Sequence, residues 1–243
     1  MRKIILTTGS LYSSALLLKK YLNSKSKHTF EISLETNLKP DIRWGVSGGS
    51  FKTDTEFNNP NLIQASGSKP RFSAFLTENG IPCVHFSKGN PTNYPVAVRT
   101  ILNGHGGEGI VICRNEKEFL KYSGEYWTKW YTFGIELGVH ILGGEIAKVF
   151  KKIPGNGIEE EYPIRNTERG YHFSLVSLEK YTKLSMYIEQ FYKVFPIQFG
   201  RLDVGWDSEN KLYRIIECNS APALSSNVDT LTKYGEFLLE HVG

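Results

Sequence analysis

The stretch FGRLDVGWDSENKLYRIIECNSAPAL, residues 199–224, decides the fold of this chain. It contains two strand-like runs, residues 201–206 and 212–218, on either side of a polar turn at residues 207–210. Polar and apolar side chains alternate along each run, so that successive side chains point to opposite faces. Two such runs joined by a short polar turn are typical of a β-hairpin.

Three oxygen-bearing side chains lie on this predicted hairpin. Asp203 is midway along the first strand, Glu217 is near the end of the second, and Asn219 follows it. Burying two carboxylates and an amide among hydrophobic residues is costly unless something compensates them. A Mg²⁺ ion carrying a nucleotide phosphate would do so, because Mg²⁺ prefers oxygen ligands. Salt bridges to nearby lysine or arginine would also do so, and the hairpin alone favours neither interpretation.

The alternation also predicts which neighbours of Glu217 face the core. Ile215 and Glu217 are expected on one face of the strand, and Ile216 and Cys218 on the other. Cys218 would then pack in the core, away from the carboxylates.

Composition indicates a soluble globular protein. The chain has 243 residues, of which 40% are hydrophobic and 22% charged. The formal net charge of +4 suits anionic ligands such as nucleotides but is too diffuse to indicate nucleic-acid binding. Cys83, Cys113 and Cys218 form no CxxC pair, which argues against a zinc site or a disulfide framework. No apolar run approaches the ~20 residues that cross a membrane, so we expect a cytoplasmic protein.

The rest of the chain is predicted to mix helices and strands. Residues 3–8 are expected to form a strand that leads through a glycine turn into a helix, and residues 29–34 a second strand. Residues 40–49 are expected to be irregular. Residues 94–102 have the pattern of an apolar strand, and residues 178–195 that of one amphipathic helix.

Three further features could serve a nucleotide. The run GHGGEG at residues 104–109 is rich in glycine, which lets backbone N–H groups approach phosphate oxygens. Arg99 is a charge in an otherwise apolar strand, and it could either neutralise phosphate or lie on a solvent face. Lys148 with the lysines that follow it, and Arg165, form a basic group that by itself is more simply explained as a solvated surface.

Taken in order, these features resemble the ATP-grasp superfamily over nearly the whole chain. The hairpin is similar to the strand pair in which an Asp and then a Glu-x-Asn hold the Mg²⁺ ions that bridge the ATP phosphates. The resemblance therefore implies that Asp203, Glu217 and Asn219 are metal ligands. The segment YPVAVRTILNGHGGEGIVI resembles the family's nucleotide-binding strand and mobile glycine-rich loop, with Arg99 where the family usually has Lys.

Other segments carry the same likeness. One helix of the family begins at a lysine that reaches phosphate, and it is similar to SGSKPRFSAFLTENGIPC. The segment that links the family's lid to its core is similar to YWTKWYTFGIELGVHILGGEIAKVFKK. An arginine-bearing segment near the transferred phosphate is similar to PIRNTERGYHF. Where the family often has an arginine, this chain has Gly138. The nucleotide-binding residues that the resemblance implies are Lys69, Arg99, His105, Gly106, Gly107, Gly109, Thr128, Lys129, Trp130, Glu136 and Lys148, with Arg165 and Arg99 acting on the transferred phosphate.

The resemblance implies an α+β fold, the ATP-grasp fold, in which two lobes grip ATP after a short Rossmann-like lobe. Residues 1–66 would form this pre-ATP-grasp lobe, with Arg43, Trp44 and the turn at residues 47–49 lining a substrate pocket. Residues 67–127 would form the lid lobe with the glycine-rich loop. Residues 128–243 would form the core lobe with the metal site.

The resemblance also implies the activity of a ligase that uses ATP and Mg²⁺. A carboxylate would be activated as an acylphosphate and coupled to an amine, with ADP and phosphate released. The nearest likeness is to compact carboxylate–amine ligases, including phage-encoded ones, which would act in the host cytoplasm. Small-molecule or peptide substrates are expected and membrane or nucleic-acid partners are not, while a homodimer is left open. Arg99 and Gly138 motivate one alternative, a non-catalytic ATP-binding or regulatory module; an ATP-grasp kinase is another.

Overall fold

Residues 3–8, 13–34, 40–47, 57–101, 107–122, 124, 126–158, 165, 167–224 and 227–242 are described by the structure, a computed structural model. Within them the strands form three sheets, of three, four and five strands, which follow one another along the chain. The mixture of helices and strands confirms the predicted α+β class. None of the helices in the described ranges is long and apolar enough to span a bilayer.

The first sheet is parallel, in the order β2-β1-β3. Its elements are β1 (Lys3–Thr8), α1 (Ser13–Lys25), β2 (Thr29–Ser33) and β3 (Ile42–Trp44). Strand β3 lies in the segment that the sequence predicted to be irregular. The prediction missed it because a strand of three residues is too short to show an alternating pattern. Arg43 in this strand is fully buried, so it is not a surface arginine.

The second sheet is antiparallel, in the order β4-β7-β5-β6. Two helices, α2 (Pro60–Ser66) and α3 (Lys69–Glu78), precede it. The sheet itself contains β4 (Phe86–Ser87), β5 (Val96–Arg99), β6 (Ile110–Cys113) and β7 (Tyr126–Lys129), with the short helix α4 (Glu116–Phe119) between β6 and β7. Strand β5 is shorter than the predicted run of residues 94–102. Pro95 has no N–H to donate to a ladder, and the pairing with β6 begins at Val96.

The third sheet is also antiparallel, in the order β10-β9-β8-β11-β12. Its strands and helices are β8 (Ile135–Leu142), β9 (Glu145–Pro154), β10 (Tyr171–Val176), α5 (Leu184–Val194), β11 (Phe199–Asp207), β12 (Leu212–Asn219) and α6 (Val228–Val242). The single helix predicted at residues 178–195 is instead a 3-10 helix, Leu178–Tyr181, followed by α5. The Ser177 hydroxyl caps the 3-10 helix by accepting from the Glu179 N–H.

Two of the three hydrophobic clusters among the described residues join a sheet to other elements of the fold, and the third lies within the four-stranded sheet. The larger one buries α3 and α5 against one face of the five-stranded sheet, with Phe72 packed edge-on against Phe191 and Phe195. The other joins the first sheet to β11 and α6, where Trp44 stacks on Phe199 at 5.2 Å between ring centroids. The three cysteines are free and buried.

The lobe limits at residues 66 and 127 stay a prediction; the second limit falls inside β7.

Candidate active site

The hairpin of β11 and β12 places Asp203 directly opposite Glu217, as the sequence predicted. A β-bulge follows this pair, since Asp203 pairs with Glu217 while Val204 pairs with Ile215. The extra residue shifts the alternation by one position. The prediction that Ile215 shares the face of Glu217 is therefore wrong: Ile215 and Cys218 lie in the core, and Ile216 lines the same cleft as Glu217.

A cleft of about 340 Å³ lies between the four-stranded and five-stranded sheets. It collects side chains from α3, β5, β7, β8, β9, β11 and β12. Among the described residues, its charged lining contains more cations than anions: Lys69, Arg99, Lys129, Lys152, Arg165 and Arg201 against Glu136, Asp203 and Glu217. Such a surplus of positive charge suits a polyanionic ligand.

Asp203 is bound by the arginine two residues before it on the same face of β11. Arg201 Nε donates to Asp203 Oδ1 at 2.9 Å, and Nη2 lies 3.5 Å from Oδ2. Burial raises the pKa of Asp203, the Arg201 guanidinium opposes this rise, and the Glu217 charge adds to it. Burial alone would lower the pKa of Arg201, but the Asp203 and Glu217 carboxylates raise it. Arg201 is thus the counter-ion of a deeply buried carboxylate.

Glu217 has a different counter-ion, from the first turn of α3. Lys69 Nζ lies 2.8 Å from Glu217 Oε2. Burial raises the pKa of Glu217, but the Lys69 ammonium, together with the charges of Arg201 and Lys152, outweighs burial, so the pKa is lowered. The two carboxylates of the hairpin are therefore each neutralised by a separate cation.

Glu136 on β8 holds two further cations at the edge of the cleft. Lys152 Nζ lies 3.0 Å from Glu136 Oε2, and Arg165 Nη1 lies 3.7 Å from Glu136 Oε1. All three side chains are largely buried. The sequence-predicted residues Glu136 and Arg165 thus meet, and Lys152 joins them.

Phe173 on β10 forms a flat surface beneath two of these cations. The Arg201 guanidinium lies 4.9 Å from its ring centroid and Lys152 Nζ lies 5.6 Å from it. Gly138 makes room for this arrangement, because a Cβ there would lie 3.1 Å from the Phe173 ring and 3.3 Å from Arg201 Cδ. At this position, where the family often has an arginine, the space beside the backbone is therefore occupied by the side chains of Phe173 and Arg201.

Arg99 faces the cleft from β5, on the other sheet. Its guanidinium lies 5.3 Å from the centroid of the Phe86 ring. Burial lowers the pKa of Arg99, and the Glu217 charge partly opposes this. An aromatic ring below the side chain suits a planar guanidinium, which agrees with arginine in place of the family's lysine.

The hinge predicted at residues 128–130 lies at the opposite end of the cleft, and Thr128, Lys129 and Trp130 all line it. Tyr131 and Phe133 follow, with ring planes 1° apart and centroids 5.4 Å apart. Lys129 Nζ itself is bound to Glu209 at 2.9 Å.

Two contacts hold this aromatic pair against the hairpin. The Arg214 guanidinium lies 5.0 Å from the Tyr131 ring while its Nε donates to Asp207 at 2.7 Å. Phe133 lies directly on Gly205, where a Cβ would be 2.5 Å from the ring. Tyr131 and Phe133 thus form an aromatic wall at this end of the cleft.

Several predicted site residues are placed elsewhere. Lys148 pairs with Asp229 and does not line the cleft, and Lys152 lines it instead. Asn219 Oδ1 accepts from the Ala221 N–H at 2.9 Å, and its side chain is not part of the lining.

The glycine-rich loop is only partly described. Gly107 lines the cleft, and Gly109 lies just beyond the lining with φ +70°. His105 and Gly106 lie outside the described residues. In the first lobe, Arg43 and Trp44 are fully buried and so do not line a pocket; of the turn at residues 47–49, only Ser47 is described.

Sequence reasoning did not single out Arg201, Phe173 or Tyr131. The signal for Arg201 was present, because residues two apart on one strand share a face and Arg201 precedes Asp203 by two. Phe173 and Tyr131 carry no charge and no motif. Only the pairing of β10 with β9, and the parallel ring beside Phe133, reveal their positions.

The facing carboxylates of Asp203 and Glu217 fit a hard divalent cation, since they offer anionic oxygens from adjacent strands. Among the described residues, no group of three His, Cys, Asp or Glu side chains could hold a metal ion. A third oxygen would have to come from Asn219 or from the ligand. The donor set is thus suited to a metal ion that arrives with oxygen ligands of its own.

Neither a protein-family model nor a curated protein matches this sequence. Solved structures match it over nearly its whole length. D-alanine–D-alanine ligase from Bacillus anthracis is 13% identical, with 99% of this chain and 97% of that chain covered at a TM-score of 0.67.

Two peptide-bound ligases are similarly close. The ATP-grasp ligase PsnB, complexed with a phosphomimetic variant of its minimal precursor, Mg and ADP, is 10% identical, with 99% and 98% covered at a TM-score of 0.66. A RiPP-associated ATP-grasp ligase from Chryseobacterium gregarium, in complex with ADP and a leader and core peptide, is 11% identical, with 98% and 96% covered at 0.65. The chain therefore has the ATP-grasp fold, which confirms the fold predicted from the resemblance of its motifs.

Proposed function

We propose that this chain is an ATP-dependent ligase that activates a carboxylate as an acylphosphate and couples it to an amine. The observation that carries this proposal is that one cleft contains both an aromatic hinge and a group of lysine and arginine side chains that surrounds Asp203 and Glu217. An apolar end for a base and a cationic end for phosphates are what a nucleoside triphosphate requires.

The nucleotide would lie along the cleft. Thr128, Lys129 and Trp130, with the Tyr131–Phe133 pair, would bind the base. Lys69, at the start of α3, and Arg99, on β5, both line the cleft and would neutralise phosphate oxygens.

Asp203 and Glu217 would hold the metal ions, and Asn219 would join them by turning its Oδ1 from the Ala221 N–H to the metal. Bound ATP supplies the γ-phosphoryl group, and bound Mg²⁺ offsets the charge of the phosphates.

The reaction proceeds in two displacements. A carboxylate oxygen of the acid forms a bond to the γ-phosphorus as the bond from that phosphorus to the bridging oxygen of ADP breaks. The amine nitrogen then attacks the acyl carbon, the C–O bond to phosphate breaks, and the amine proton leaves to phosphate or water. No protein nucleophile is required. Arg165, Lys152 and Arg201 would stabilise charge on the transferring group, and a closed glycine-rich loop would exclude water.

The solved structures support this assignment of cofactors and substrate types. One structure of the Bacillus anthracis ligase is complexed with ATP, and one of PsnB holds Mg and ADP. The first acts on D-alanine, while PsnB and the Chryseobacterium ligase are complexed with peptides. The acid and the amine that this chain would couple are therefore either small molecules or peptides.

Mass spectrometry of products tests the proposal. The protein is incubated with MgATP and a pool of amino acids, polyamines and peptides, and an amide is expected together with ADP. Glu217→Gln should abolish turnover, whereas Glu189→Gln, on the exposed surface of α5, should leave it unchanged.

Three results would overturn the proposal. A phosphoester product instead of an amide would indicate a kinase. Absence of nucleotide binding in calorimetry with Mg²⁺ would exclude any ATP-dependent reaction. Nucleotide binding without turnover on any acid would favour a regulatory module.

A further inference from the structure

The two carboxylates proposed to bind metal are each occupied by a cationic side chain. Lys69 Nζ lies 2.8 Å from Glu217 Oε2, and Arg201 Nε lies 2.9 Å from Asp203 Oδ1. Since Asp203 and Glu217 are paired across the hairpin, the two ion pairs lie side by side in the cleft. A divalent cation must therefore compete with an ammonium and a guanidinium for the same oxygens.

We propose that Lys69 and Arg201 are resident counter-ions that keep free divalent cations out of this site until a nucleotide polyphosphate takes them over. The inference rests on the proposed function, and it concerns how the nucleotide and its metal enter. It predicts that the metal ion binds together with the nucleotide, not before it.

Charge and burial give this order of binding. The Lys69 and Arg201 side chains are only 30% and 16% exposed, so neither can move fully into water. A bare divalent cation on Asp203 and Glu217 would leave both without a partner and beside a like charge. Phosphate oxygens remove this penalty, because they accept hydrogen bonds from both groups while also binding the metal ion.

The position of Lys69 at the N-terminal end of α3 favours an anion as its partner. Lys69 is the first residue of α3, and the first turn of this helix contains no acidic side chain. The N-terminal end of a helix dipole disfavours a cation. Glu217 compensates Lys69 here, and a phosphate group at the helix end would compensate it better.

Arg201 can exchange its partner without leaving the cleft. Its guanidinium lies 4.9 Å from the Phe173 ring centroid, and Gly138 leaves the space that its Cδ occupies. The ring interacts with the cation whichever anion it faces. A turn of the guanidinium away from Asp203 therefore keeps one favourable contact.

Binding of Mn²⁺, followed by electron paramagnetic resonance, tests this inference on the intact protein. Lys69→Met should raise the affinity for free Mn²⁺ by about tenfold and lower the affinity for ADP in the presence of Mg²⁺. Lys129→Met is the matched control, since Lys129 also lines the cleft but pairs with Glu209, and its Mn²⁺ affinity should stay at the wild-type value. Adding Glu217→Gln to Lys69→Met should remove the gain.

An unchanged or weaker Mn²⁺ affinity in folded Lys69→Met overturns the inference, as does wild-type protein that binds free Mn²⁺ as tightly as the variant. If Lys69→Met does not fold, Lys69→Gln is measured instead, because it keeps a hydrogen-bond donor without the charge; the same rise is expected. Failure of wild-type protein to bind ADP with Mg²⁺ would defeat the proposed function, whereas unchanged Mn²⁺ affinity with intact ADP binding would defeat only the counter-ion role.

Discussion

The two ends of the cleft are stabilised by different forces. At the hinge end, Tyr131 and Phe133 lie parallel, and Phe133 rests on the bare backbone of Gly205. At the other end, which we call the phosphate end after the proposed function, Arg201 neutralises the buried Asp203, and Lys69 neutralises Glu217, whose side chain is 32% exposed. Packing at the hinge end gives a surface whose shape exists before any ligand arrives. Charge pairs at the phosphate end can be exchanged for those of a ligand.

This difference predicts which conditions affect each end. Changes of charge or pH should act on the phosphate end, because removing one member of a buried pair strands the other. Changes of volume should act on the hinge end, because a close-packed contact has no room to adjust. The four predictions that follow test this contrast, from the largest expected effect to the smallest.

Replacing Arg201 by methionine should have the largest effect on stability. Asp203 would keep its burial but lose the guanidinium 2.9 Å away. Breaking such a buried pair costs about 3 kcal/mol of the free energy of unfolding, to be measured by urea denaturation.

The double variant Arg201→Met with Asp203→Leu is the control. It removes both charges, so it should recover most of the lost stability. A double variant as unstable as the single one would mean that Arg201 contributes by packing on Phe173 and not by charge.

Acid should destabilise the protein through His140, which lies on β8 beside Arg201. Burial, assisted by the Arg201 charge, lowers the pKa of His140 to about 3. Its Nδ1 lies 3.0 Å from the Tyr234 hydroxyl, which itself donates to the Gly200 carbonyl, so His140 Nδ1 is the donor to Tyr234. The unfolded state takes up a proton near the ordinary pKa of about 6.5, and stability is lost as pH falls from there towards 3.

Urea denaturation between pH 7 and pH 5 measures this loss. At pH 5 it should amount to about 2 kcal/mol from His140 alone. His140→Gln should be less stable at pH 7 but should lose less on acidification. An equal loss in both proteins would assign the acid sensitivity to other groups.

The hairpin motif predicted more of the site than any other stretch. It predicted that Asp203 and Glu217 come within reach of one ion, and the hairpin does place them opposite each other. The register set by the turn would instead pair Asp203 with Ile216, and the bulge is what brings Glu217 into that position. The bulge that moves Ile216 to the cleft was beyond such reasoning, since an extra residue leaves the alternating pattern almost intact.

Charged residues elsewhere were harder to place. A run of lysines on one strand does not say which end of the strand meets the cleft, so Lys148 was predicted where Lys152 lies. Arg43 was expected to line a substrate pocket or to lie at the surface, and its burial was missed because the three-residue strand that buries it carries no periodic signal.

Gly205→Ala should weaken nucleotide binding at the hinge end. The added Cβ would lie 2.5 Å from the Phe133 ring, which must move away from the position that makes it parallel to Tyr131. We expect about 1.5 kcal/mol, or about tenfold in the affinity for ADP measured by calorimetry.

Gly134→Ala is the matched control for this prediction. It lies beside Phe133, but its Cβ would meet only the Ser208 hydroxyl at 3.3 Å. Its ADP affinity should stay within about twofold of wild type. If both variants weaken ADP equally, the hinge responds to backbone stiffness and not to the position of Phe133.

Lys148→Met should have the smallest effect and marks where the phosphate end stops. Lys148 pairs with Asp229, whose side chain is 58% exposed, and water screens such a pair so that it contributes little to stability. Lys152→Met removes a cation that lines the cleft and should weaken ADP binding, whereas Lys148→Met should leave it unchanged. Equal losses in the two variants would extend the phosphate end along β9 to Lys148, as the sequence had predicted.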